Sequence, residues 1–162
     1  MTPQEKFLIE HECEKLQKLY GIYADQLEDD RFADLFTDDA FIQVPEQPPF
    51  KGREALRAGI LQMKALGLVY RHVMTNNVVN VINQNHAEGL CYLMAFNSAA
   101  SPDASGGRPM EMPTTLGEYK DTFRRTEMGW RFQSRVLGRV MRRADDNIIA
   151  AATRLAAAQA KK

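Results

Sequence analysis

The sequence predicts an α+β domain in which helices cover one face of a curved antiparallel sheet, and two observations predict it. The first half of the chain carries apolar residues at helical spacing, while the second half carries alternating and β-branched runs separated by short turn signals. A chain of 162 residues holds roughly one domain at about 150 residues each, so a single core must account for the whole fold.

Thr2-Pro3 is a helix-start signal, and Phe7, Leu16, Leu19, Tyr20, Tyr23 and Leu27 continue it as one long helix over about 3–28. A short helical turn over Arg31–Phe36 stops before Thr37-Asp38-Asp39, and Ala40–Val44 reads as a short strand ended by Pro45. Gln47-Pro48-Pro49 is loop, and from Gly52 a helical period returns through Leu56, Ile60 and Met63 until Gly67 ends it. Tyr70–Ile82, His86–Asn97, Leu116–Thr126 and Trp130–Val140 are four strands, with Asn83-Gln84-Asn85 and Met128-Gly129 as hairpin signals, so they form an antiparallel meander. Ser98–Thr115, rich in Ser, Pro, Gly and Ala, is too long for a tight turn and is either a mobile lid or a disordered loop. Residues 1–143 make up the domain, and 144–162 form a tail in which Ile148–Ala160 is expected to be helical.

Composition narrows the function classes. With 44% hydrophobic and 26% charged residues the chain is of the globular kind. The 21 basic residues balance 21 acidic ones, so the field that non-specific nucleic-acid binding needs is missing. No apolar run approaches membrane-spanning length, which sets the expected location as the cytoplasm. Cys13 and Cys91 stand in no metal or redox spacing and read as small apolar residues. With no phosphate loop, GxSxG elbow, HExxH or dinucleotide fingerprint, the chain is expected to use neither cofactor nor metal.

Few residues remain to carry chemistry. His72 is one of three histidines, the side chain best suited to general acid–base work, and sits on a strand, where period two places it on one face with Met74, Asn76 and Val78. Tyr23 and Glu28 are five positions apart on the first helix and come together only if it ends or bends near Leu27. The spacing leaves open whether Glu28 or Asp25 faces His72. Tyr119, Asp121 and Phe123 share a face of the third long strand; Asp121 is either a neutral hydrogen-bond donor among apolar neighbours or half of a cross-strand ion pair. Arg131, Arg135 and Arg139 share a face of the last strand, expected to be solvated or a subunit contact, and an anion site only where no acid stands opposite.

The segments Tyr23-Ala-Asp-Gln-Leu-Glu-Asp-Asp-Arg-Phe-Ala-Asp-Leu-Phe-Thr-Asp-Asp-Ala-Phe41, Lys51-Gly-Arg-Glu54, Arg71-His-Val-Met-Thr-Asn76, Gly117-Glu-Tyr-Lys-Asp121 and Gly129-Trp-Arg-Phe132 occur in an order and spacing that resembles the nuclear-transport-factor-2-like superfamily, within it the SnoaL-like group. The resemblance covers about 15–140 and implies a cone-shaped sheet around a deep apolar pocket. It also implies elimination chemistry of the kind performed by scytalone and bile-acid dehydratases. Carried over by position, His72 matches the dyad histidine, Tyr23 the helix tyrosine and Glu28 the dyad acid; Asn97 falls near a second histidine of scytalone dehydratase. Val44 stands where a steroid isomerase has its base carboxylate, so that chemistry is disfavoured.

The expectation is therefore a cofactor-independent lyase or isomerase, dehydratase-like, acting on a small apolar or polyketide- or steroid-like carbonyl compound. His72, Glu28, Tyr23, Asp121 and Tyr119 are the catalytic candidates; Asn97, Asp25, Phe123, Met74 and Asn76 are the ligand-binding candidates. The partners expected are a small apolar molecule and a second copy of the chain in a dimer or trimer, with no nucleic acid and no membrane. Two alternatives stand beside this: a non-catalytic small subunit of a ring-hydroxylating dioxygenase, and a small-molecule-binding domain without turnover.

Overall fold

A computed structural model describes residues 1–110 and 112–143; the tail over 144–162 and its expected helix lie outside the described residues. The first helix, α1 (Pro3–Asp25), opens with a capping box: the Glu5 amide donates to Thr2 Oγ1 at 3.2 Å and the Thr2 amide to Glu5 Oε2 at 2.6 Å. It buries Ile9, Cys13, Leu16, Gln17, Tyr20, Gly21 and Ala24. It ends three residues before the sequence reading placed its end. Leu27 takes a left-handed conformation (φ 56°), its amide donates to the Ala24 carbonyl, and the Glu28 amide donates back to the Tyr23 carbonyl. That pair of bonds is a Schellman stop built on leucine instead of glycine, which is why no glycine signalled it.

The helix α2 (Asp29–Ala33) follows at once and packs on α3 (Arg53–Ala65). Because α2 is over by Ala33, Phe36 begins a strand instead of ending a helical turn: β1 runs from Phe36 to Gln43. The remaining strands are β2 (Phe50–Lys51), β3 (Val69–Val81), β4 (His86–Ser98), β5 (Thr115–Thr126) and β6 (Gly129–Arg142), in the sheet order β2-β1-β6-β5-β4-β3. The meander β3 to β6 is antiparallel throughout. The sheet as a whole is not, because β1 lies parallel to β6. A parallel pair needs a long crossover, and everything from α3 to β5 supplies it. The curved sheet does not close on itself, so β3 and β2 are free edges.

The core lies between α1 and the concave face. Phe36, Phe123 and Phe132 are fully buried, with Phe132 stacked on Phe36 at 5.2 Å and against Phe123 at 4.9 Å. One irregularity changes which side chains reach that face. Between Thr75 and Val78, β3 carries one residue more than β4, and Asn76 adopts φ 53° there. Before the bulge the even positions Tyr70, His72 and Met74 are the half-buried ones; after it the odd positions Asn77, Val79 and Val81 turn inward. The single face expected for His72, Met74, Asn76 and Val78 is thus broken, leaving Asn76 and Val78 exposed. Among the described residues no helix is long and apolar enough to cross a membrane.

Candidate active site

His72 meets Asp25, the last residue of α1. Asp25 Oδ1 lies 2.6 Å from His72 Nδ1, and the His72 backbone amide donates to Asp25 Oδ2 at 2.9 Å. Both side chains are mostly buried, at 14% and 10% exposure. The arrangement follows from topology: β3 is an edge strand, so its outward amide at residue 72 has no neighbouring strand to pair with, and the carboxylate at the helix end takes it. One oxygen on the main chain and one on the ring fix the imidazole against rotation. A carboxylate facing Nδ1 selects the tautomer with its proton there and leaves Nε2 as the nitrogen available to a ligand. Gly21, one turn before Asp25, makes the approach close enough: a Cβ there would lie 3.3 Å from His72 Cβ.

His72 lines a cavity of about 200 Å³ whose walls come from the three helices, β1, the loop after it, β2 and the inner faces of β3 to β6. Most of the lining is apolar, including Ala24, Phe32, Ile42, Phe50, Ile60 and Leu93. Its polar groups are Tyr20, Tyr70, His72 and Tyr119 together with Asn97, Thr114, Thr115, Gln47 and Arg139. Tyr20 and Tyr119 are buried at 7% and 2% exposure, with their rings packed edge to face 5.5 Å apart. Burial pushes the Tyr20 phenol above its ordinary pKa, an effect the Arg135 guanidinium opposes, and burial raises that of Tyr119 further. Both phenols therefore stay protonated as hydrogen-bond donors.

Behind the tyrosines lies a polar chain shut away from solvent. Arg135 is fully buried, directly opposite Asp121 in the β5–β6 ladder, and donates to it through Nε at 2.7 Å and Nη2 at 2.8 Å. Its guanidinium also sits 4.2 Å from the ring centres of both Tyr20 and Tyr119 and 4.4 Å from that of Phe132. Burial alone would lower the arginine pKa, but Asp121 more than reverses this and holds it raised. Gln17 donates to Asp121 at 2.9 Å and accepts from Asn77 at 2.9 Å. Gly89 leaves the room for this, since a Cβ there would come 2.8 Å from the Gln17 amide nitrogen.

The expected site residues thus divide. His72, Tyr119 and Asn97 line the cavity, and Asp25 is the acid on His72. Asn97 donates to Thr114 Oγ1 at 3.1 Å. Glu28, expected on His72, instead accepts from Arg31 at 2.8 Å, because the Schellman stop turns the chain before residue 28. Tyr23 accepts from the same arginine at 3.1 Å and does not line the cavity; Tyr20, one turn earlier, does. Asp121 is an ion-paired carboxylate whose partner is Arg135, not a neutral donor, and this also corrects the solvated face expected for that arginine. Phe123 is core packing, Met74 packs against the core beside Gly21, and Asn76 faces solvent at the bulge. The sequence reading missed Tyr20 and Gln17, whose helical positions look the same in solvent or in a pocket, and it named Arg139 only as one of an arginine face.

Comparison with curated protein sequences finds no match. Among solved structures, the chain is similar to a candidate scytalone dehydratase from Novosphingobium aromaticivorans at 16% identity and TM-score 0.72, covering 86% of this chain and 89% of that one. It is similar to a variant of Rv3472, a protein of unknown function from Mycobacterium tuberculosis, at 23% identity and TM-score 0.73, covering 98% and 94%. It is also similar to a hexachlorocyclohexane dehydrochlorinase from Novosphingobium barchaimii at 14% identity and TM-score 0.71, covering 88% and 93%. At such identities the likeness shows the shared fold, of nuclear-transport-factor-2 type. The family model for the SnoaL-like domain matches residues 5–136, which carry the helices, the dyad and most of the sheet, and the chain belongs to that family.

Proposed function

We propose that this protein is a cofactor-independent lyase that eliminates water or a comparable leaving group from a small, mostly apolar carbonyl compound. The observation that carries the reading is the His72–Asp25 pair on the wall of an apolar cavity. His72 Nε2 takes a proton from the carbon next to the carbonyl, and the C–H electron pair passes onto the carbonyl oxygen as an enolate, whose collapse forms the C=C bond as the bond to the leaving group breaks. Asp25 stabilises the imidazolium as it forms, and the Tyr20 hydroxyl donates to the carbonyl oxygen as it gathers negative charge. The imidazolium then returns its proton to the leaving hydroxyl, which departs as water. The role expected for Glu28 thus passes to Asp25, and that expected for Tyr23 to Tyr20.

A panel of small β-hydroxy carbonyl compounds assayed with wild type, His72→Ala and Asp25→Asn tests this. The expected result is turnover by the wild type, lost in His72→Ala; equal rates for the two proteins overturn it.

A further inference from the structure

The cavity carries one fixed charge that the elimination scheme does not use. Arg139, on the inner side of β6, lines the cavity with its side chain 18% exposed, and its Nε is buried with no hydrogen-bond partner. No Asp or Glu lines the cavity among the described residues. The acid nearest the guanidinium is Glu46, 3.4 Å from Arg139 Nη1, but Glu46 is 65% exposed and is shared with Arg142 at 3.3 Å. Two guanidinium groups against one solvated carboxylate leave a net positive charge, and solvent screening weakens what neutralisation there is.

β5 and β6 run close together at this arginine. Arg139 is in register with Gly117 on β5, which in turn is in register with Leu93 on β4. A Cβ at Gly117 would come 2.7 Å from the Gly138 carbonyl oxygen and 2.9 Å from Leu137 Cδ1, so only glycine lets the two strands approach this closely. Asn97, Thr114 and Thr115 add amide and hydroxyl groups to the same cavity, and two of them are already tied to each other through Asn97 Nδ2 and Thr114 Oγ1. A buried, unpartnered guanidinium N–H in a cavity without acids is a site for an anionic oxygen group, which a planar carboxylate satisfies best.

We infer that the ligand of this cavity is a carboxylic acid in its anionic form, with an apolar body about one ring in size, and that Arg139 selects it by binding the carboxylate. The size follows from the volume: about 200 Å³ is slightly more than the roughly 150 Å³ apolar cavity that takes up benzene. This narrows the partner expected from composition alone, since a neutral chain can still hold a positive cavity. The inference shares its cavity with the lyase reading but needs no turnover.

Calorimetric or NMR titration at pH 7.5 with cyclohexanecarboxylate and its uncharged isostere cyclohexanecarboxamide tests it in wild type, Arg139→Gln, Arg139→Lys and His72→Ala. The wild type is expected to bind the acid about tenfold more tightly than the amide. Arg139→Gln abolishes that preference while still binding the amide, Arg139→Lys restores part of it, and His72→Ala keeps it. Equal affinities in the wild type, binding of neither compound, or a preference that survives Arg139→Gln overturns the inference. Loss of the preference in His72→Ala with Arg139 intact also overturns it, because the anion would then sit on the histidine. A preserved preference together with no elimination activity in the wild type sinks the lyase reading alone.

Discussion

The carboxylate of Asp25 reaches across from the end of α1 and holds both the backbone amide and the ring of His72. Asp25→Asn keeps the shape but offers an amide where the ring needs an acceptor, so the proton moves to the wrong nitrogen. Elimination activity is expected to fall by at least about a hundredfold in kcat/KM, as the same acid-to-amide change does in a Ser-His-Asp triad. Circular dichroism should be unchanged, and a variant that keeps wild-type rates would show that Asp25 does not orient the base.

Glu28→Gln and Tyr23→Phe probe the positions that the family pattern alone would have chosen. Each loses only a contact with Arg31, a residue whose side chain is 63% exposed. Exposed pairs of this kind contribute about 0–1 kcal/mol, so stability by urea titration should change by no more than that, and activity should stay within about twofold.

Gly21→Ala separates folding from positioning. Alanine gains about 1 kcal/mol of helix propensity over glycine, but its Cβ presses on His72 Cβ from 3.3 Å. The expected outcome is a Tm within a few degrees of wild type and a drop in elimination rate, read by thermal melts beside kinetics. A rate unchanged in a well-folded variant would show that β3 yields without moving the imidazole.

Asp121→Asn leaves the Arg135 charge buried and unmatched, which is expected to cost about 3–5 kcal/mol. Replacing both at once, as Asp121→Leu with Arg135→Met, should cost much less than the sum of the single changes, because no lone charge remains. Urea unfolding of the two single variants and the double variant gives the comparison.

Alkaline pH should loosen the fold through its two thiols. Burial pushes the Cys13 thiol up to about 12 and the Cys91 thiol up to about 11, from the ordinary thiol value of 9.0. Between pH 9 and those values the unfolded chain loses thiol protons that the native chain keeps, so the unfolded state is favoured as pH rises. Each thiol lowers stability by about 1.4 kcal/mol per pH unit in that window. Cys13→Ala should flatten the slope of stability against pH between 9 and 11, and an unchanged slope would count against the assignment.

Much of the fold was legible because its signals are local. Thr2-Pro3 starts the first helix, Gly67 ends the third, and Asn83-Gln84-Asn85 and Met128-Gly129 turn the hairpins as their chemistry requires. The parallel contact of β1 with β6 was not legible, since pairing across so much intervening chain leaves no trace in either strand's own pattern. His72 could be picked out by residue type, but its partner depended on where α1 stops, and a leucine in the left-handed region hides that stop. Arg135 and Arg139 share one face of β6; only the acid opposite one of them and the cavity beside the other give them different fates.

The extra residue at Asn76 divides β3 into two stretches that can change independently of one another. Upstream, Tyr70 and His72 line the cavity, so substitutions at Tyr70 can follow a change of ligand while His72 keeps its place. Downstream, the odd positions begin with Asn77, which holds Gln17 and through it Asp121. Deleting one residue there would bring the whole strand into a single phase and exchange inside for outside along half its length. Substitutions, by contrast, can remodel the ligand end while the anchoring end stays as it is, so the bulge gives this strand room to acquire new specificity without unravelling the domain.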